Sequence, residues 1–198
     1  MKIVLSTNNP SKKEQAQAMF AGSGIQILSL EENGTPGAAV EDKDGGTLEQ
    51  NAFKKAVFAH APGCWAMADD TGIFIDALDG RPGVRTADWS GDAKTTEEKT
   101  GWILEQLKDV ANRSATFRTV VVVLTPSGNR HFFTGEVHGS ILRTARCKPQ
   151  PQMAYSPIFQ PDGSKKVWAE MTIEEENAIS HRGKAFCQAR QFLEQTSR

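Results

Sequence analysis

A long hairpin pattern in the second half of this sequence constrains the fold more than any other feature. Residues 117–125 and 129–141 have the composition of two strands, and the "PSGN" between them is typical of a turn. In the first half, short strands alternate with helices. Alternation followed by a hairpin predicts an α/β fold with a mixed sheet and a cleft.

The other predicted elements surround an acidic pair. Pro10 and Thr47 are typical first-turn and capping residues of helices. The predicted strands are 2–7, 25–30, 65–70 and 72–78, and the predicted helices are 11–21, 47–60, 95–107 and 183–195. The last two of these strands are expected to hinge at the acidic pair Asp69 and Asp70. Residues 31–46 and 148–166 are predicted loops.

Composition excludes several classes of protein. With 198 residues, the chain can form one domain or two small lobes around a cleft, and we expect a single domain over residues 1–198. Its 23 basic and 24 acidic residues give a net charge of −1, so neither nucleic acid nor a membrane surface is an expected partner. The three cysteines form no Cys-x-x-Cys pair, which argues against a zinc or disulfide framework. We expect a cytoplasmic protein, since no segment resembles a signal peptide or a membrane span.

The first motif with chemical character is "STNNPSK", over residues 6–12. It places a polar turn between a strand and a helix, with Lys12 just inside the helix. The N–H groups of a helix N-terminus together with a lysine can bind phosphate. The alternative is an ordinary turn capped by Asn9 or Ser11.

A second motif, "NAFKKA", lies in the predicted helix 47–60. Asn51 and Lys55 are four residues apart and therefore share one helix face. Facing a cleft, Lys55 could bind phosphate. The alternative is a face exposed to solvent.

The third motif is "ADDTG", over residues 68–72. Adjacent carboxylates at a strand terminus repel each other, and strands disfavour Asp. A cation makes such a pair tolerable, and Mg²⁺ binds to one or two carboxylates plus phosphates and water. The motif thus predicts a magnesium site at Asp69 and Asp70, with an Asp-rich turn as the alternative.

The fourth motif, "AISHRG", precedes the last predicted helix. His181 and Arg182, in a polar turn, could donate hydrogen bonds to a ligand carbonyl. The alternative is a helix cap by Ser180 with solvated neighbours.

Taken together, these motifs resemble the inosine/xanthosine triphosphate pyrophosphatases, which remove deaminated purine nucleotides. That family carries T/S-x-N-x-x-K, E-N-A-x-x-K-A, A-D-D-S-G-L-x-V-D-A-L-x-G-x-P-G-V and a closing P-I-F…A-E-M…I-S-H-R-G. This chain has "TNNPSK", "QNAFKKA", "ADDTGIFIDALDGRPGV" and "PIFQPDGSKKVWAEMTIEEENAISHRG" in the same order. The resemblance extends from residue 2 to about residue 193.

The resemblance implies an elongated, two-lobed mixed sheet flanked by helices, with a central substrate cleft, in a homodimer. It also implies Mg²⁺-dependent hydrolysis of ITP, dITP or XTP to the monophosphate and pyrophosphate. Asp70 would be the general base or a Mg²⁺ ligand, with Asp69 and either Glu41 or Asp42 as further ligands. The residues implied in substrate binding are Thr7, Asn8, Asn9, Lys12, Lys55, Thr71, His181 and Arg182, of which the last two would contact the 6-oxo group of the purine.

The sequence departs from the family mainly where the base binds. The family's G-F-G-Y-D-P is replaced by Gln152, Met153, Ala154, Tyr155, Ser156 and Pro157, and a family lysine is replaced by Glu176. The family's Glu in E-N-A is Gln50. The changes at the base end suggest an altered base preference, with Met153, Ala154, Tyr155, Ser156 and Glu176 in the base pocket, whereas Gln50 is a change on the metal side that favours a silent nucleotide-binding protein. Two alternatives stay open: Glu176 points to solvent, or the chain binds nucleotide without turnover.

Overall fold

The computed structural model describes residues 1–35, 46–93 and 95–196. Its elements in chain order are β1 (Lys2–Leu5), α1 (Pro10–Phe20), β2 (Gln26–Leu28), α2 (Leu48–Ala59), β3 (Trp65–Ile75), β4 (Pro82–Gly83), α3 (Thr96–Gln106), β5 (Ser114–Leu124), β6 (Arg130–Ile141), β7 (Phe159–Pro161), α4 (Ile173–Ile179) and α5 (His181–Thr196). Short 3₁₀ helices occupy Asp76–Leu78 and Trp168–Glu170.

All the described strands belong to one mixed sheet in the order β2-β1-β3-β5-β6-β7, with β4 paired to β3. β1 runs parallel to β2 and β3, whereas the pairs β3–β4, β3–β5, β5–β6 and β6–β7 are antiparallel. β5 and β6 form the predicted hairpin. The predicted α/β fold with a mixed sheet flanked by helices is confirmed.

The acidic pair lies inside a continuous strand, so the prediction of two strands hinged there is wrong. Asp69 pairs with Val121 of β5, and Asp70 pairs with Val120. On the other edge of β3, pairing with β1 ends at Met67 and pairing with β4 begins at Ile73. β5 therefore keeps the segment extended, while the interval between β1 and β4 leaves room for a cleft beside the carboxylates.

Local capping explains where several helices begin. The Asn9 side chain accepts hydrogen bonds from the backbone N–H groups of Ser11 and Lys12, which caps α1. Thr47 caps α2 as predicted, and Gln50 accepts the reciprocal hydrogen bond from the Thr47 N–H. Such a capping box satisfies two N–H groups that have no partner within the helix.

Two elements near the C-terminus differ from the prediction. α5 begins at His181, two residues earlier than expected, so His181 and Arg182 lie in its first turn rather than in a polar loop. α4 was not predicted; it starts at a Thr172–Glu175 capping box. Both helices pack against α1, and α5 also packs against β5 and β6, contacts that local sequence signals do not report.

The two faces of the sheet carry different helices. One face buries Leu5, Met67, Val121 and Val123 in a cluster with residues of α1 and α5. The opposite face buries Val4, Ala66, Ala68, Val120 and Val122 in a cluster with residues of α2. A third cluster contains Phe117, Phe159 and Trp168. Within the described ranges, no helix combines the length and apolar character that a membrane crossing needs.

Candidate active site

A cavity of about 610 Å³ opens beside the middle of β3. Most of the residues predicted for the site line it. They are Thr7, Asn8, Asn9, Lys12, Lys55, Asp69, Asp70, Thr71, Met153, Ala154, Tyr155, Ser156, His181 and Arg182. Glu176 does not line the cavity, and Glu41 and Asp42 lie outside the described residues.

The charged wall of the cavity, defined here as Lys12, Lys55, Asp69, Asp70 and Arg182, is built from both faces of the sheet. Side chains of adjacent strand residues point to opposite faces. Asp69 accordingly lies on the face that α1 and α5 cover, and Asp70 lies on the face that α2 covers.

Asp70 is held by two residues of α2. Lys55 Nζ lies 2.7 Å from Asp70 Oδ1 and donates to the Asp69 backbone carbonyl at 3.2 Å. Asn51 Nδ2 donates to Asp70 Oδ2 at 3.1 Å. Asn51 and Lys55 are both buried, so the alternative of a solvated helix face is wrong.

Asp69 is held by cations from the opposite face. Its Oδ2 lies 2.7 Å from Lys12 Nζ and 3.6 Å from Arg182 Nε, and the Thr71 hydroxyl is 3.4 Å away. Burial alone would raise the pKa of the Asp69 carboxyl, but the charges of Lys12 and Arg182 outweigh it and hold this pKa well below its usual range. Burial lowers the pKa of Lys12, and Asp69 offsets part of that shift.

The turn before α1 is ordered by its own side chains. Thr7 Oγ1 accepts the Asn9 N–H at 3.1 Å, and Asn9 Oδ1 accepts the Ser11 N–H at 2.9 Å. The predicted cap by Asn9 is therefore present. The same turn still lines the cavity through Thr7, Asn8 and Lys12, so the capping and phosphate-binding interpretations are compatible.

The aromatic wall consists of Phe117, Tyr155, Trp168 and His181. The His181 ring stacks on Phe117 at 4.7 Å between centroids, and Tyr155 meets Phe117 edge-on at 5.9 Å. Burial, helped by the Arg182 charge, moves the pKa of His181 well below its usual value, so its imidazole is neutral. In the described part of the chain, His181 Nδ1, Tyr155 Oη and Trp168 Nε1 are buried without a hydrogen-bond partner.

Sequence reasoning missed Phe117, Trp168 and Gln15. Phe117 and Trp168 line the cavity, and Gln15 of α1 accepts a hydrogen bond from Arg182. Trp168 directly precedes the "AEM" of the closing family motif, which was a usable signal. Nothing local in the sequence marks Phe117 or Gln15, because each reaches the site through packing.

The residues that depart from the family have definite positions. Ser156 is buried, and its hydroxyl accepts the Gln150 N–H at 2.8 Å. Glu176 is only 1% exposed, so the alternative that it points to solvent is wrong. Neither Glu176 carboxylate oxygen has a hydrogen-bond partner among the described residues. Gln50 serves the capping box of α2 and does not line the cavity.

The donor set fits a hard divalent cation that binds mainly through substrate. Residues 1–35, 46–93 and 95–196 contain no group of three metal-binding side chains. Asp70, however, faces the cavity, and one or two carboxylates suffice for Mg²⁺ when phosphates and water complete its coordination. The buried, unpartnered Asp69 Oδ1 is also a hard oxygen ligand.

Lysines and carboxylates on one wall and aromatic rings on another have the chemistry of a nucleotide-binding enzyme. The model of the Ham1 family matches residues 3–192. A dITP/XTP pyrophosphatase of Geobacter sulfurreducens is 37% identical, over 97% of this chain and 96% of that protein. One of Porphyromonas gingivalis is 37% identical, over 97% of both.

Solved structures give the same result. A HAM1 protein from Coxiella burnetii superposes with a TM-score of 0.84 at 32% identity, covering 98% of this chain and 99% of that one. The Staphylococcus aureus Ham1 protein gives a TM-score of 0.82 at 28% identity, covering 99% and 100%. The chain belongs to the Ham1 family.

Proposed function

We propose that this chain hydrolyses a deaminated purine nucleoside triphosphate, such as dITP, ITP or XTP, to the monophosphate and pyrophosphate. The observation that carries the proposal is Asp70, buried at the cavity between Lys55 and Asn51, beside the Lys12–Asp69 pair. Relatives that match nearly the whole chain are dITP/XTP pyrophosphatases, which supports this substrate class.

The charged wall supplies the groups that the reaction needs. The Asp70 carboxylate accepts a proton from a water molecule, whose oxygen attacks the α-phosphorus while the bond to the bridging oxygen of the β-phosphate breaks. Lys12 and Lys55 neutralise the pyrophosphate that leaves. Asp70, with Glu41 or Asp42, would hold Mg²⁺, which when bound neutralises the triphosphate.

The aromatic wall is the proposed base site. Neutral His181 and the Arg182 guanidinium would contact the 6-oxo group, as the family resemblance predicts. The buried polar atoms of His181, Tyr155 and Trp168 give this wall hydrogen-bonding capacity that the protein itself does not use. Because an unmatched buried polar group costs about 1–3 kcal/mol, the wall favours a base whose edge matches it.

An altered base preference is part of the proposal. Ser156 lines the cavity where the family has Asp, and buried Glu176 replaces a family lysine. The alternative of a silent nucleotide-binding protein rested partly on Gln50. Gln50 completes the capping box of α2, and either Gln or Glu can do this. The replacement of the family Glu by Gln50 therefore leaves the charged wall intact. The homodimer and the cytoplasmic location stay predictions.

Pyrophosphate release, measured with Mg²⁺ over ITP, XTP, GTP and ATP, tests the function. We expect turnover of at least one triphosphate in this set, with the deaminated bases preferred or the preference visibly shifted. Nucleotide binding without pyrophosphate release from any of them would establish the silent alternative. Release of orthophosphate instead of pyrophosphate would exclude attack at the α-phosphorus.

A further inference from the structure

The two adjacent carboxylates of the charged wall have separate surroundings. Asp70 contacts Asn51 and Lys55, which both belong to α2. Asp69 contacts Lys12 of α1 and Arg182 of α5 on the opposite face. Since the alternation of β3 separates the two side chains, they need not perform the same task.

One oxygen of Asp69 serves two cations that have different proposed roles. Asp69 Oδ2 lies 2.7 Å from Lys12 Nζ, a proposed phosphate contact, and 3.6 Å from Arg182 Nε, a proposed base contact. The Asp69 side chain is 1% exposed and that of Arg182 is 5% exposed. Burial on both sides restricts the movement of these groups, so the carboxylate sets the separation of the two cations.

A second contact ties Arg182 to the same helix as Lys12. Gln15 Oε1 accepts a hydrogen bond from Arg182 Nη1 at 2.6 Å, and Gln15 is buried on α1. Lys12 and Gln15 are three residues apart and therefore neighbours on the α1 surface. Arg182 is thus held between β3 and α1, close to Lys12, the proposed phosphate contact.

We propose that Asp69 is a positioning residue that holds Lys12 and Arg182 in fixed relative positions, and that it is not a ligand of the catalytic metal. The inference rests on the proposed function, because the two cations are assigned to the two ends of one nucleotide. Lys12 and Arg182 already lie beside the Asp69 carboxylate, and their positive charges oppose a metal ion at either of its oxygens. Gln15 supports Arg182 by its hydrogen bond but does not contact Lys12 in this way.

Binding measured by calorimetry in EDTA tests the proposal without turnover. Inorganic tripolyphosphate reports the phosphate contact. We define the base contribution as a ratio of two affinities: that of the tightest-binding nucleotide among ITP, XTP, GTP and ATP, divided by that of tripolyphosphate. We expect Asp69→Asn to weaken the binding of tripolyphosphate and to reduce the base contribution. Each change should be roughly 5- to 150-fold, the usual range of coupling between sites.

Gln15→Met separates the base contribution from the phosphate contact. It can be measured even if Asp69→Asn does not fold. It should reduce the base contribution while leaving tripolyphosphate affinity within about twofold, because it removes only the acceptor of Arg182. Gln17→Met, an exposed position on the same helix, is the matched control and should change neither quantity.

Manganese binding, followed by the electron paramagnetic resonance of the free ion, decides the metal role. We expect Asp69→Asn to bind Mn²⁺ within about twofold of the wild type in the presence of tripolyphosphate at saturation. Loss of Mn²⁺ binding in Asp69→Asn, or an unchanged base contribution in Gln15→Met, overturns the proposal. Absence of catalytic turnover in the wild type would contradict the proposed function but not these binding results.

Discussion

The charged wall and the aromatic wall of the cavity differ in whether their functional groups have charged partners. Each cation of the charged wall lies within 4 Å of a carboxylate: Lys12 and Arg182 near Asp69, and Lys55 near Asp70. On the aromatic wall, buried polar atoms of Tyr155, Trp168 and His181 have no hydrogen-bond partner in the described chain. At the first wall a ligand therefore meets cations that are already paired with carboxylates, whereas at the second wall it can add hydrogen bonds to atoms that have none.

This contrast suggests where affinity and selectivity arise. Contact between the lysines and phosphate is insensitive to the base, because any triphosphate presents the same oxygens. Matching of buried polar atoms depends on the edge of the base, since a mismatch leaves a group unsatisfied. We expect variants of Lys12, Lys55 and Asp70 to affect all nucleotides alike, and variants of Arg182 or of residues near the aromatic wall to alter their ranking.

Asp70→Asn should have the largest effect. The change keeps the shape of the side chain but removes the charge that accepts the proton, and losses of such groups run to about 10²–10⁴-fold in kcat. Pyrophosphate release at saturating Mg²⁺ measures it, with the exposed Asp109→Asn as a control that keeps full activity. A variant that retains a tenth of wild-type kcat would remove Asp70 from this role.

Lys12→Ala and Lys55→Ala should each raise KM for every triphosphate. A lost charge-assisted contact to phosphate is worth about 1.5–3 kcal/mol, which corresponds to a roughly 10- to 150-fold change. Lys13→Ala, next to Lys12 but paired with Glu32 at the surface, is the matched control. If either active-site variant changed KM for one base only, that lysine would belong to base recognition.

Ser156→Asp combined with Glu176→Lys, which restores the family residues, should shift preference toward ITP and XTP. Lysine donates hydrogen bonds where a carboxylate only accepts them, so a lysine that extends from position 176 favours carbonyl oxygens over amino groups. Glu176 itself does not line the cavity, so the effect depends on the longer lysine side chain reaching it. The expected change in the ratio of kcat/KM for ITP to that for GTP or ATP is roughly five- to a hundredfold.

Glu176→Gln tests the same idea with less disturbance of a buried position. It preserves side-chain volume and replaces one acceptor oxygen by an amide donor, so it should reduce any influence of position 176 on the ranking of the bases. Thermal unfolding of each variant verifies folding. An unchanged ratio in a double variant that folds and turns over would show that these two positions do not read the base.

The smallest expected effect concerns pH. His181 has a folded-state pKa below its unfolded value of about 6.5, so its contribution to stability is present above that pH and is lost as pH falls toward the folded pKa. A tenfold difference in proton affinity between the folded and unfolded states corresponds to about 1.4 kcal/mol of stability. His181→Gln should flatten the decrease in Tm between pH 7.5 and pH 5, whereas exposed His138→Gln should not. Identical slopes in the wild type and His181→Gln would contradict this assignment.

Local sequence determined the elements whose signals act over a few residues. Thr47 and Gln50 start α2, and Asn9 caps α1, because a side chain within three positions satisfies their free N–H groups. The hairpin of β5 and β6 follows from strand-forming residues on either side of a turn. The order of the family motifs also marked most residues that line the cavity, although not their partners.

The tertiary structure decided how those residues meet. Pairing with β5 makes β3 continuous through Asp69 and Asp70, where local propensity predicts a break. Packing of α4 and α5 against α1 buries Glu176 and places Arg182 beside Gln15, 167 positions away along the chain. The energy of such contacts comes from burial and long-range pairing, which no local pattern of residues encodes.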